Sequence, residues 1–217
     1  MKKGLTELVF IIDRSGSMSG LEDDTIGGFN AMLKEQQGVE GEAVVTTVLF
    51  DDRYELLHDR IPLQGVAPLT SGQYYVRGST ALLDAIGRTI QKIANIQRHT
   101  APDMRADKVL FVITTDGYEN ASREYSYEKI RSMVELEQKE YGWEFLFLGA
   151  NIDAIAVAGQ VGISADRAVT YHADSAGTAL NYDVVSEAVS YLRACAAVPP
   201  NWKQRIEQDF RSRKSRR

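Results

Sequence analysis

A chain of 217 residues with 25 basic against 30 acidic side chains, a net charge of −5 and 44% hydrophobic residues is long enough to bury about 70% of its unfolded surface as one domain. Its single cysteine, Cys195, excludes an intramolecular disulfide, and His58, His99 and His172 share no ligand spacing, so neither a disulfide scaffold nor a structural zinc is called for. Met1-Lys2-Lys3 precedes the first strand residues, and the apolar run Leu8 to Ile12 is too short for a signal-peptide core or a membrane span, which predicts a cytoplasmic protein.

Leu5 to Ile12 reads as a central strand that breaks into the loop Asp13-Arg14-Ser15-Gly16-Ser17, the place where an open α/β sheet puts its ligands. One carboxylate and two hydroxyls at alternate positions form a set of hard oxygen donors that Mg²⁺ or Mn²⁺ accepts while keeping water. Asp and Ser also cap helices, so this loop alone leaves a structural role open. A helix follows over Leu21 to Gln37, then a β-branched strand over Ala43 to Phe50 that ends at Asp51-Asp52. Tyr54 to Arg60 follows after so short a connection that it must pair antiparallel, as an edge strand. Gly78-Ser79-Thr80 opens a helix over Thr80 to Gln97 with Leu83, Ile86, Ile90 and Ile93 on one face, and the strand Lys108 to Thr114 closes in Thr114-Thr115-Asp116-Gly117. Next come a helix over Tyr125 to Glu140, a strand over Glu144 to Leu148, a short helix over Asp153 to Gly159 and a short strand over Ala168 to Tyr171. A helix over Ala176 to Ala196 follows, whose stripe Leu180, Val184, Ala188, Tyr191, Cys195 makes Cys195 a packed thiol. This alternation implies an α/β fold: a doubly wound, mostly parallel six-stranded sheet with one antiparallel edge strand and helices on both faces.

Pro199-Pro200 marks a boundary between a domain over 1–198 and a basic C-terminal tail over 199–217. From Lys203 onward seven basic residues stand against Glu207 and Asp209, a net of +5 that leaves about −10 on the body. Such an end reads as solvated and apolar-poor. The spacing of Trp202, Ile206 and Phe210 keeps a docked helix open, and attraction to nucleic acid is the lesser reading.

With Asp13, Ser15, Ser17, Thr80 and Asp116 in this order, the chain resembles the von Willebrand factor A (VWA) domains, over residues 5–195. In that family Asp-x-Ser-x-Ser after the first strand, a distant Thr and an Asp after the fourth strand form a metal-ion-dependent adhesion site, MIDAS. More closely it is similar to the compact intracellular bacterial members, the stress-associated TerY-like proteins among them. The resemblance implies a Rossmann-like sheet of order 3-2-1-4-5-6, with the metal in the crevice between the strands before Asp13 and Asp116. It also implies a bound Mg²⁺ or Mn²⁺ whose charge the two aspartates only balance, so that an Asp or Glu of a protein partner completes its coordination. A regulatory partnership with an AAA+ ATPase or a kinase and phosphatase system is the alternative role, and no enzyme activity is implied.

Other loop positions add a polar rim of Asp51, Asp52, Tyr74, Tyr75, Arg77, Glu119, Asn120, Asn151 and Asp153. Arg77 either pairs with an approaching acid or balances the rim, while Asp51, Asp52 and Glu119 disfavour a highly acidic partner. Tyr74 and Tyr75 either pack beneath a long loop or form a contact platform. Gly16-Ser17-Met18-Ser19-Gly20 matches the nucleophile elbow Gly-x-Ser-x-Gly, but Ser19 lies too far beyond its strand, and His172 is the only histidine late enough to assist it. A phosphatase with Asp13 as the phosphoryl acceptor lacks the second Asp, since Ser15 stands there. Membrane and small-molecule partners are not expected.

Overall fold

The computed structural model describes residues 1–195 and 197–214. In chain order the elements are β1 (Lys2–Asp13), α1 (Glu22–Gln37), β2 (Ala43–Phe50), β3 (Tyr54–Pro62), α2 (Leu82–His99), β4 (Ala106–Thr115), α3 (Tyr127–Tyr141), β5 (Glu144–Ala150), α4 (Ala154–Gln160), β6 (Ala168–Tyr171), α5 (Ser175–Cys195) and α6 (Gln204–Lys214). They build a six-stranded sheet of order β3-β2-β1-β4-β5-β6, parallel except where β3 runs antiparallel against β2. The doubly wound architecture and its antiparallel edge are therefore as the sequence predicts.

Alternation along the strands explains the two layers. Leu8, Phe10 and Ile12 of β1, with Leu110 and Val112 of β4, face a core shared with α1, α5 and α6. Val9 and Ile11, with Phe111 and Ile113, face the opposite core under α2, α3 and α4. A period of two sends successive side chains to opposite faces, so strands buried on both faces become continuous apolar runs. Connections leave β1 and β4 in opposite directions, and the crevice at their carboxyl ends is the switch point of the sheet.

Three features differ from expectation. The first strand begins at Lys2 rather than Leu5, because Lys2 N–H donates to the Arg105 carbonyl at 2.7 Å, beside β4. The thiol-bearing residue Cys195 is exposed rather than packed. At the end of α5 the inward positions are Leu192 and Arg193, whose guanidinium donates to the carbonyls of Gln36, Val39 and Gly41 at 2.6–2.9 Å, so the stripe through Tyr191 and Cys195 has turned off the core. Finally, the C-terminal segment follows the docked-helix alternative rather than the solvated tail: it contains α6, with Trp202 and Ile206 buried against the first core. The expectation for Ala196 and residues 215–217 lies outside the described residues.

Candidate metal centre

All five predicted ligands lie on the carboxyl rim around β1 and β4. Asp13 ends β1, in register with Phe50 of β2. Ser15 precedes a 3₁₀ turn over Gly16–Met18, which holds Ser17, and Asp116 directly follows β4. Thr80 does not open α2 as expected. The helix begins at Leu82, and Ala81, with φ −93° and ψ 60°, stands outside helical geometry. Instead Thr80 is clamped by Asn120: its N–H donates to Asn120 Oδ1 at 2.9 Å, and its carbonyl accepts from the Asn120 N–H at 3.0 Å.

These positions bring the three hydroxyls into one chain. Thr80 Oγ1 donates to Ser15 Oγ at 3.0 Å, and Ser15 Oγ lies 3.0 Å from Ser17 Oγ. Gly117 closes the cradle, since a Cβ there would stand 3.0 Å from both Ser17 Oγ and Thr80 Oγ1. Gly78 gives loop 78–80 its path. Its φ of +66° suits glycine, a Cβ would collide with Asp52, and its carbonyl accepts from the Gly16 N–H at 3.2 Å, which joins the Thr80 loop to the Ser15 loop.

The two aspartates sit in different surroundings. Asp13 Oδ1 accepts from the Ser15 N–H at 2.7 Å, and Oδ2 from the Thr115 hydroxyl at 2.6 Å. Burial nevertheless pushes its carboxyl up to about 6, with those hydrogen bonds opposing and the Asp116 charge adding. Both Asp116 oxygens are buried without a hydrogen-bond partner. Burial raises this carboxyl too, and the nearby Ser17 hydroxyl opposes it without meeting hydrogen-bond geometry. Among the described residues no three His, Cys, Asp or Glu side chains gather as a cage. Two carboxylates with three hydroxyls are instead a hard-oxygen set suited to a small divalent cation that keeps some water.

Behind this centre lies an ion network, of which sequence reasoning found only Arg77 as a balance to the acidic rim. Arg14, between two candidate ligands, is fully buried; its Nε donates to Asp51 Oδ2 at 2.9 Å, Nη2 to Glu55 Oε2 at 2.7 Å and Nη1 to the Gln73 carbonyl at 3.2 Å. The same Asp51 Oδ2 accepts from Arg77 Nε at 2.6 Å, so Arg77 is paired within the chain and Asp51 is buried rather than on the rim. Burial acts to raise the Asp51 carboxyl, but hydrogen bonds led by Arg77 and including Arg14 hold it below its ordinary range. Tyr74 packs, as one reading expected, and its hydroxyl donates to the Asp13 carbonyl at 2.7 Å. Tyr75 is 44% exposed, with the Arg14 and Arg77 guanidiniums 5.4 and 5.2 Å from its ring centre. Glu119 is spent on backbone N–H groups of Leu83, Ala121 and Ser122 at 2.7–2.9 Å, which leaves Asp52 as the exposed acid of the three expected to repel a partner. A lone Arg inside a loop motif and the second Thr of Thr114-Thr115-Asp116 were the available hints, but their partners lie 37 and 102 residues away.

No family model and no curated protein matches this sequence. Solved structures do. Proximal thread matrix protein 1 from the mussel byssus, in a form with a zinc-occupied MIDAS motif, matches with a TM-score of 0.58 at 15% identity, over 86% of this chain and 46% of that one. The ArnB paralog VWA2 from Sulfolobus acidocaldarius matches at 0.53 and 16% identity, over 87% and 45%. A von Willebrand factor type A protein from Catenulispora acidiphila matches at 0.58 and 12% identity, over 85% and 42%. This chain spans less than half the length of each of these solved chains. At such identities the likeness carries the fold and does not reach the TerY-like subgroup. Strand order, a single antiparallel edge, helices on both faces and these likenesses make the fold that of a von Willebrand factor A domain.

Proposed function

We propose that the chain binds one divalent cation, Mg²⁺ or Mn²⁺, at Asp13, Ser15, Ser17, Thr80 and Asp116, and through it engages an Asp or Glu side chain of a protein partner. The observation that carries this reading is Asp116, a buried carboxylate with no hydrogen-bond partner beside three linked hydroxyls. An unpaired buried charge is costly, and a cation is the partner that removes the cost. The zinc-occupied MIDAS of the mussel protein supports a divalent ion on this fold. When bound, the ion supplies a Lewis-acidic position that two carboxylates neutralise without saturating. Thr115 and the Ser15 N–H orient Asp13, and Asn120 and Gly78 keep the Thr80 hydroxyl against Ser15.

No catalytic role is proposed for Ser19, which lies exposed beyond the 3₁₀ turn, while His172 stacks on Phe210 at 4.6 Å and contacts its carbonyl. No described helix is long and apolar enough to cross a membrane.

Titration calorimetry with Mg²⁺ and Mn²⁺ tests the metal, with one ion per chain expected for the wild type and none for Asp116→Ala. Saturating metal should raise the melting temperature by about 5 °C or more, since a ligand at 100 times its Kd adds about 2.7 kcal/mol to stability. No heat and no shift in either protein at millimolar metal removes the reading. For the partner, pull-downs in Mg²⁺ or in EDTA, with wild type and Thr80→Ala, should retain a specific band only for wild type with metal. Retention of that band in EDTA and by the variant means that recognition uses another surface.

A further inference from the structure

Beside the metal centre the carboxyl ends of β5 and β6 open into a second hollow, of about 680 Å³, roofed by α6. Its volume lies in the range of small-ligand and side-chain pockets. Two residues place it next to the metal centre. Tyr118 lines it, follows Asp116 by two positions and is 57% exposed. Tyr171 forms part of its wall, and the charges of both Asp116 and Asp13 reach that phenol. A chain segment whose carboxylate meets the metal therefore has this hollow as a neighbour on the same rim.

The chemistry of the hollow selects a cation. Asp153 is exposed; one of its oxygens caps α4 through the Ala156 N–H at 3.0 Å, and its other oxygen has no partner among the described residues. The one guanidinium in the wall, Arg213, is already spent, with Nη1 on Asp174 at 2.6 Å and Nε on both Asp209 oxygens at 2.9 Å. Among the described residues the only other basic group in the wall is the imidazole of His172, stacked on Phe210 with Nε2 3.2 Å from its carbonyl, whereas an ammonium or guanidinium finds a free carboxylate oxygen and the accessible face of Tyr118. Asn151, at the mouth of the hollow, holds φ +55°, a backbone state that Asn tolerates better than most residues and that is often found at binding sites.

We infer that this hollow is a second subsite for the same partner, taking a lysine or arginine side chain a few residues from the acid that meets the metal. The inference rests on the proposed metal-dependent function and adds to it a basic residue in the recognised segment.

A peptide array decides it: one Asp is fixed in a Gly/Ser background, and Lys is walked across each position on either side. The wild type should bind the Asp peptides in Mg²⁺, with Lys at one or two offsets strengthening binding about three- to tenfold over Gly, the scale of an exposed charge pair with a cation–π contact. In Asp153→Asn, and independently in the exposed-site variant Tyr118→Ser, that Lys-to-Gly ratio should fall toward one, with melting temperatures checked for folding. Asp peptides that bind in Mg²⁺ but gain nothing from Lys at any offset, or a gain that both variants keep, overturn the subsite while leaving the metal reading intact. Binding indifferent to EDTA overturns both.

Discussion

Asp116 and Asp13 lie within reach of each other's charge, yet only Asp13 has hydrogen bonds to steady it, and burial raises both carboxyls. Asp13 titrates at about 6 when folded against an ordinary value of 3.8, so between those limits the metal-free folded chain holds a proton that the unfolded chain has lost. The sign follows: in EDTA this residue's contribution to stability rises as pH falls from about 7 to about 4, by about 3 kcal/mol at most. Asp13→Asn should therefore stabilise the metal-free protein at pH 7.5, and its advantage should shrink by pH 5. Metal needs the ionised carboxylate, so wild-type affinity should be nearly flat above pH 7 and drop about tenfold per unit below 6. Melts in EDTA and calorimetry across pH 5–8 measure the two slopes. If Asp13→Asn costs stability at pH 7.5 without metal, its hydrogen bonds outweigh the cost of burying its charge.

Loops, not strands, set the spacing of the candidate ligands, and Asp51 joins two of them. Its carboxylate receives Arg14 from the Asp13–Ser17 loop and Arg77 from the Thr80 loop, and its carbonyl receives the Ala81 N–H at 2.9 Å. Removing that charge takes Arg77's counter-ion away and leaves the fully buried Arg14 with the partly exposed Glu55 alone, which costs about 3 kcal/mol or more. Asp51→Asn should thus weaken metal binding by about tenfold although it ligates nothing, whereas Glu55→Gln, which meets only the Nη2 end of Arg14, should do less. Equal metal affinities for wild type and Asp51→Asn would show that the loops hold their register without it. The buried Arg14 was not legible in the sequence, because Arg14 and Asp51 belong to separate segments that the β1–β2 pairing brings together, and Arg77 joins them from a third segment through its N–H on the Arg14 carbonyl. The five candidate ligands stood out in the sequence because each follows an apolar run or precedes an amphipathic one. Thr80 was misplaced by two residues because the Gly78-Ser79-Thr80 run imitates a helix cap, while Asn120 and Asp51 pull the backbone out of helical geometry.

At the scale of the whole molecule the uneven charge pattern is a docking pattern. Arg205 of α6 pairs with Asp183 and Glu187 of α5, both at 2.6 Å, Arg213 pairs with Asp174, and Lys203 donates to the Ala165 and Ala168 carbonyls at 2.6 and 2.8 Å. The four-residue spacing of Trp202, Ile206 and Phe210 already showed a narrow apolar stripe among dense basic residues; Trp202 and Ile206 are buried and Phe210 stacks on His172. The exposed ion pairs count for little individually. The apolar contacts decide the outcome: losing one fully buried isoleucine and uncovering a tryptophan costs about 3 kcal/mol or more. Deleting residues 203–217 should therefore lower the melting temperature by at least about 6 °C, given about 2–4 °C per kcal/mol in a domain of this size. Salt separates the two contributions. In 1 M NaCl the surface pairs are screened within about 3 Å, so a loss that persists there comes from burial. A loss that vanishes in high salt would make α6 an electrostatic attachment, and a fall of less than about 2 °C at low salt would mean that the domain is complete without it.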